Sequence, residues 1–142
     1  MELNSGTKEV YNERRKAVDN YMLSNLDTPD QKLENAVNYL INQGGKRLRP
    51  VIVCLGSEMF GLSYSEALPV SSSIEAIHTS SLIQDDLPAM DDDKFRRGSK
   101  TTHRRFGEST SILASNILRS RATLWSHQVN AEKVVVVSIV EE

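Results

Sequence analysis

Residues 85–93 read Asp-Asp-Leu-Pro-Ala-Met-Asp-Asp-Asp, five carboxylates in nine positions. Charges that dense repel one another unless a cation neutralises them. Carboxylate oxygens are hard ligands that suit Mg²⁺, which takes one or two of them and leaves its other positions to water and substrate phosphate. Directly downstream lie Lys94, Arg96, Arg97, Lys100, Arg104 and Arg105, six basic residues in twelve positions. The planar guanidinium fork matches phosphate oxygens two at a time. An acidic cluster for metal beside a basic cluster for phosphate is what a metal–diphosphate site needs. A solvated surface with offsetting charges is the competing reading, and charge alone does not separate the two. A calcium-binding EF-hand loop is a poor fit, because Phe95 and Arg96 follow Asp91-x-Asp93 where an oxygen ligand and a glycine belong. Nucleic acid is not an expected partner, since the carboxylates would repel its backbone.

The residues upstream sharpen the case for a site. His78 and Asp85 are seven positions apart, so on a helix they share a face about 10 Å apart along the axis, with Ser81 between them. A lone histidine on a mostly apolar helix is ordinarily a satisfied core residue; alignment with the carboxylates raises His78 above that. A second basic group, Gly44-Gly45-Lys46-Arg47-Leu48-Arg49-Pro50, falls between two helices. Its glycines permit close backbone approach, and its three cations could clamp a second anion. Taken alone, a glycine helix cap followed by surface charge explains it equally well.

The elements that must position these groups are helical. Thr28-Pro29-Asp30-Gln31 reads as a helix start, with Thr28 as cap and Pro29 at the first helical position. Leu33, Ala36, Val37, Leu40 and Ile41 follow as one apolar stripe, which Gly44-Gly45 ends. A weaker pattern places an earlier helix over about 8–26. Pro50 sets up another start, and Val51 to Phe60 is apolar on nearly every side, as in an element buried all round. Val51, Ile52 and Val53 would also suit a short strand, but the stop at Gly61 favours a helix. Ser63-x-x-Glu66 supplies a capping box, and a further segment is expected from Ser71 to Asp86, after Pro69. Residues 91–108, almost all polar or charged, read as a loop or a solvated turn of helix. A last helix is expected near Ser109, with Ile112, Leu113 and Ile117 inward. From Asn116 the apolar period fades, and Val134 to Val140 form a strand-like run without a partner.

Composition sets the frame. The 142 residues are 39% hydrophobic, 25% charged and 6% aromatic, values of a globular chain rather than a disordered or collagenous one. Seventeen Lys and Arg against nineteen Asp and Glu leave a net charge of −2, so any anion site has to be local. The one cysteine, Cys54, has no partner for an internal disulfide, as in a reducing compartment. No apolar run approaches the roughly 20 residues that span a bilayer. No apolar signal-peptide core is seen, and the expectation is a cytoplasmic protein.

Taken in order, Gly44-Gly45-Lys46-Arg47-Leu48-Arg49-Pro50, Glu75-Ala76-Ile77-His78-Thr79 and the run from Ser81 through Asp93 form a distinctive series. Lys94-Phe95-Arg96-Arg97-Gly98-Ser99-Lys100-Thr101 and Phe106-Gly107-Glu108 continue it. This series resembles the trans-prenyltransferases, the synthases of geranyl, farnesyl and geranylgeranyl diphosphate. The likeness covers residues 33–115. It implies an all-α fold around a central cavity, with residues 1–115 as its N-terminal half and 116–142 as a divergent tail outside it. It also implies Mg²⁺-dependent head-to-tail condensation of isopentenyl diphosphate with an allylic diphosphate. By the same likeness Asp85 and Asp91 are metal ligands with Asp86 in support, and Arg96 grips the allylic diphosphate. Lys46, Arg49, His78 and Arg97 bind isopentenyl diphosphate. Ser80 and Ser81, about one turn before Asp85, stand where the family sets product length, and their small size points past geranyl to farnesyl or geranylgeranyl. Gln84 stands where bacterial relatives usually carry histidine.

The departure lies downstream. Members of that family run to about twice this length and carry a second aspartate-rich motif, whereas no Asp follows Asp93 here. The expectation is a half-built site with little or no condensation by this chain alone. Pairing as a homodimer or with a full-length synthase, as a non-catalytic subunit, is one alternative; a truncated, non-functional product is another.

Overall fold

The computed structural model describes residues 4–28 and 30–128. Helix α1 spans Ser5–Ser24, α2 Gln31–Asn42, α3 Leu48–Met59 and α4 Tyr64–Asp85. Strands β1 (Phe95–Arg96) and β2 (Ser99–Lys100) follow, then α5 (Thr102–Phe106) and α6 (Glu108–Ser126). The all-α expectation holds apart from this short hairpin. Among the described residues no helix is long and apolar enough to cross a membrane.

The starts of α1, α2 and α4 are set by local polar contacts. The Asn4 side chain accepts the Thr7 N–H at 2.8 Å to open α1. Asp30, not Thr28, caps α2, and its Oδ1 accepts the N–H groups of Lys32 at 2.7 Å and Leu33 at 3.0 Å. A carboxylate at this position also meets the positive end of the helix dipole, which favours it over a hydroxyl two residues earlier. Pro29 lies outside the described residues. The predicted stripe of α2 is buried throughout, from Leu33 to Ile41.

Helix α3 is a helix as expected, but it begins two residues before Pro50 and is not buried all round. Pro50, Val51 and Cys54 face inward, whereas Ile52 is 65% exposed, Met59 84% and the following Phe60 88%. Three apolar sides need three neighbours, and the described residues give α3 packing chiefly against α4 and α1. In α4 the Glu66 carboxylate accepts from the Ser63 N–H at 2.9 Å and from its hydroxyl at 2.6 Å. One helix then runs straight through Pro69, correcting the expected break. Pro69 has no N–H to donate to the carbonyl of Ser65, an exposed residue whose oxygen water can satisfy.

Helix α4 is the centre of the molecule, packed by α1, α3 and α6. Its contact with α6 is built from small residues. The Ser73 hydroxyl donates to the Ala122 carbonyl at 2.8 Å, and the Ser115 hydroxyl to the Ser80 carbonyl at 3.1 Å. Helix α6 does not falter at Asn116. Ala114, Leu118, Ala122 and Trp125 continue one buried face through it, and Trp125 meets Tyr21 edge-on at 5.7 Å. That face was missed because Ser111, Ala114 and Ser115 carry little hydrophobic signal, while Ile112 and Leu113, expected inward, point outward. The Val134 to Val140 run lies outside the described residues.

Over 91–108, read as a loop or a turn of helix, the chain forms an unexpected hairpin and then the short helix α5. Phe95 pairs with Lys100 and Arg96 with Ser99, joined by Arg97 and Gly98, both at positive φ (52° and 79°). Two such residues in succession make the tight turn whose twist matches a hairpin. Thr101, Thr102 and His103 are buried behind it.

Candidate functional site

The basic residues come together across three separate stretches of chain. Lys46 on the α2–α3 turn, Arg49 in the first turn of α3, His78 on α4 and Arg97 at the hairpin tip line one cleft of about 550 Å³. Gly45 makes the meeting possible. It sits at φ 152°, and a Cβ there would stand 2.9 Å from both terminal nitrogens of Arg97. Any larger residue would occupy the space the guanidinium fills. Lys46, Arg49 and Arg97 have no ion-pair partner among the described residues. Burial pushes the Arg97 guanidinium below its ordinary value, and the nearby Arg47 adds to the effect. Burial likewise lowers His78; Glu75 opposes this, and the charges of Arg49, Arg97 and Arg47 reinforce it. A pocket that strains to hold its own cations is one that an anion relieves.

Arg47 is not one of the clamping cations. It turns inward at φ 48°, donating to Asp19 at 2.7 Å, to Glu75 at 2.8 Å and to the Ile41 carbonyl at 2.8 Å. The buried pair with Glu75 ties the turn to α4 and so fixes where Lys46 and Arg49 emerge. Spacing gave no sign of this, because the three cations of Lys-Arg-Leu-Arg are equivalent on paper. Gln43 was also missed. Its amide nitrogen and oxygen are both buried without a partner, and the residue lines the same cleft.

The acidic end is arranged differently. Asp86 is 1% exposed, and Arg96 closes on it with Nε 2.9 Å from both carboxylate oxygens and a terminal nitrogen at 2.6 Å. This bond holds the Arg96 guanidinium above its ordinary value. Asp85 and Asp91 have no ion pair among the described residues, and the Asp91 N–H donates to the Asp85 carbonyl at 2.9 Å, folding the turn back on the helix end. Asp92 at φ 50° completes that reversal, a conformation aspartate tolerates better than most residues. Among the described residues no three His, Cys, Asp or Glu are gathered closely enough to hold a metal ion by themselves. Two free hard carboxylates on adjoining turns still fit an ion such as Mg²⁺, which draws most of its shell from water and phosphate.

Ser81 lies on α4 between His78 and Asp85, its hydroxyl turned to the His78 carbonyl at 2.9 Å. Ser80 is buried against α6, donating to the Ile77 carbonyl at 2.7 Å. Gln84 accepts from Arg119 of α6 at 3.0 Å, so it braces the α4–α6 contact.

A family model described as polyprenyl synthetase matches residues 30–142. The chain is 43% identical over 129 residues to a farnesyl diphosphate synthase of Bacillus subtilis, covering 85% of this chain and 43% of that one. It is 44% identical over 107 residues to a chloroplastic protein of Arabidopsis thaliana, the large subunit 1 of a heterodimeric geranylgeranyl pyrophosphate synthase (75% and 28% covered). Among solved structures, an FPP/GFPP synthase from Zymomonas mobilis superposes with a TM-score of 0.86 at 30% identity, covering 94% of this chain and 50% of that one. The chain thus spans half the length or less of these relatives.

Proposed function

This chain belongs to the polyprenyl synthetase family, and from that premise we propose that its two charged ends bind the two diphosphates of a head-to-tail prenyl transfer. The observation that carries this is the basic cleft: four residues from three chain segments converge around a space that holds no free anion of its own. Lys46, Arg49, His78 and Arg97 grip isopentenyl diphosphate there, and the orphaned amide of Gln43 adds a donor. Asp85 and Asp91 are the residues that would hold Mg²⁺, with Asp86 holding Arg96 in place beside them. Bound there, Mg²⁺ would take up charge on the leaving diphosphate. Arg96 would face that same group once the ligand draws it from Asp86. The allylic C–O bond breaks with its electrons leaving on the diphosphate, the double bond of isopentenyl diphosphate forms the new C–C bond, and a proton is lost. Fixed positive charge around the departing group is the main source of rate.

Ser80 and Ser81 set product length in this reading, since both hydroxyls are folded back onto carbonyls and leave room for a chain longer than geranyl. Farnesyl or geranylgeranyl diphosphate is the product it favours. Cytoplasm is the location it favours, although the chloroplastic relative shows that compartment varies among similar proteins.

A carbocation formed here has water for a neighbour. Ile77, beside His78, is half exposed, so the site of the described residues is open on one side. Little condensation is therefore expected without a further covering surface. A second reading, as a subunit of a homodimer or of a pair with a full-length synthase, draws on the outward Ile112, Leu113 and Leu124 of α6 and on the heterodimeric relative. The deciding experiment has two arms. Calorimetry with pyrophosphate, with and without Mg²⁺, should show binding in both and tighter binding with the ion; no heat in either sinks the proposal. Labelled isopentenyl diphosphate plus an allylic diphosphate, with and without a full-length synthase, then reads turnover and any shift in product length.

A further inference from the structure

Arg97 reaches the basic cleft from a hairpin whose strands are two residues each. A two-stranded ribbon that short is marginal in water, so its place depends on what anchors it. Among the described residues, two hydrogen-bonded side chains join residues 95–100 to the helices. One is Arg96, which closes on Asp86 at the end of α4. The other is Tyr39 of α2, whose hydroxyl donates to the Lys100 carbonyl at 2.7 Å.

The register explains why that carbonyl is free to accept. Bonded and non-bonded pairs alternate along an antiparallel ladder. The Thr101 N–H donates to the Lys94 carbonyl at 3.1 Å, so the adjoining pair of Phe95 and Lys100 is a non-bonded one. The backbone polar groups of Lys100 therefore point away from β1, and Tyr39 meets the carbonyl there. The phenol is held in place by its neighbours. Phe106 of α5 meets the ring edge-on at 5.4 Å, and the Arg105 guanidinium lies over it, 4.3 Å from its centre. A ring packed in this way gives up little further freedom in making its hydrogen bond.

Tyr39 also stands one turn before the end of α2, where its own carbonyl accepts the Gln43 N–H at 3.2 Å. Gly44 and Gly45 follow directly. One residue thus ties the hairpin to the helix end that leads into Gly45, against which the Arg97 guanidinium rests. Tyr39 itself does not line the cleft.

We propose, building on the diphosphate site above, that Tyr39 is a positioning residue: its bond to Lys100 holds the hairpin against α2 and so keeps Arg97 beside Gly45, where a diphosphate meets it. Tyr39 touches no substrate, and its influence on binding passes through Arg97.

The test is pyrophosphate calorimetry without Mg²⁺ on the parent chain, Tyr39→Phe, Arg97→Ala and the double variant. Phenylalanine keeps the ring and its contacts with Phe106 and Arg105 and removes only the hydroxyl. Tyr39→Phe should weaken pyrophosphate about fivefold, the scale of one neutral hydrogen bond, with the urea midpoint close to that of the parent. In the Arg97→Ala background the same change should alter affinity by less than about twofold, whereas a merely structural role would lower it equally in both. Amide exchange in the ligand-free chain is a second readout. The Thr101 amide should exchange several-fold faster in Tyr39→Phe, while Val37 in α2 keeps the parent rate. A parent that binds pyrophosphate, with Tyr39→Phe binding as tightly, overturns this proposal and leaves the diphosphate site standing. Equal losses with and without Arg97, or unchanged Thr101 exchange, overturn it as well. A parent that binds no pyrophosphate removes the diphosphate site, and this role of Tyr39 with it.

Discussion

The basic cleft and the acidic end sit at opposite degrees of readiness. The cleft is assembled before any ligand arrives: Arg47, locked to Glu75 and Asp19, sets the turn, and Gly45 makes room for Arg97. At the acidic end only Asp86 is fixed, and its partner is Arg96. Asp85 and Asp91 wait apart, without ion pairs among the described residues. The lesson is where the binding cost is met. An anion entering the cleft orders little, whereas a cation at α4's C-terminus must gather its own ligands. Diphosphate alone should recognise the first region, and only a metal–diphosphate complex the second.

The largest effect should come from breaking the scaffold of the cleft. Arg47→Met strands the buried Glu75 carboxylate and should cost about 3–5 kcal/mol in urea unfolding. A loss under about 1 kcal/mol would mean the pair does not organise the turn. Next, Asp85→Ala should abolish the tightening of pyrophosphate binding by Mg²⁺ and leave metal-free binding as it was, while Glu66→Ala, at the far end of α4, should do neither. Equal behaviour of the two variants would reduce the carboxylates to ordinary surface.

Gly45→Ala sharpens the contrast from the other side. It should weaken metal-free pyrophosphate about tenfold, or about 1.4 kcal/mol, by displacing Arg97. The Mg²⁺-dependent increment should survive. The smallest effect concerns pH. His78 is held below the ordinary histidine value by burial, with Arg49, Arg97 and Arg47 adding to it and Glu75 opposing. The unfolded chain therefore binds the proton more readily, and stability should decline as pH falls through the interval below about 6.5. That slope should vanish in His78→Gln. Pyrophosphate should raise the His78 midpoint in an NMR titration, since it offsets the three guanidinium charges.

How legible was all this? The stripe of α2 and the Ser63–Glu66 cap were readable because large apolar residues and capping pairs have fixed periods. So were Lys46, Arg49, His78 and Arg97 as a group, although only through the likeness to a family; no spacing rule joins positions so far apart. Helix α6 past Asn116 was not legible, because its buried face is made of Ser and Ala as much as Leu. Neither was the role of Arg47. Which of several neighbouring cations turns inward depends on one left-handed backbone angle, and nothing in the letters Lys-Arg-Leu-Arg specifies it. The hairpin was missed because its strands are two residues each, too short to show alternation.

That hairpin carries one more implication. Arg96 and Arg97 are consecutive, yet one reaches Asp86 and the other reaches past Gly45. Arg96 ends β1 and Arg97 opens the two-residue turn, so one short hairpin presents a guanidinium to each charged end. The two charged ends of the molecule are thereby joined through a single peptide unit of one hairpin.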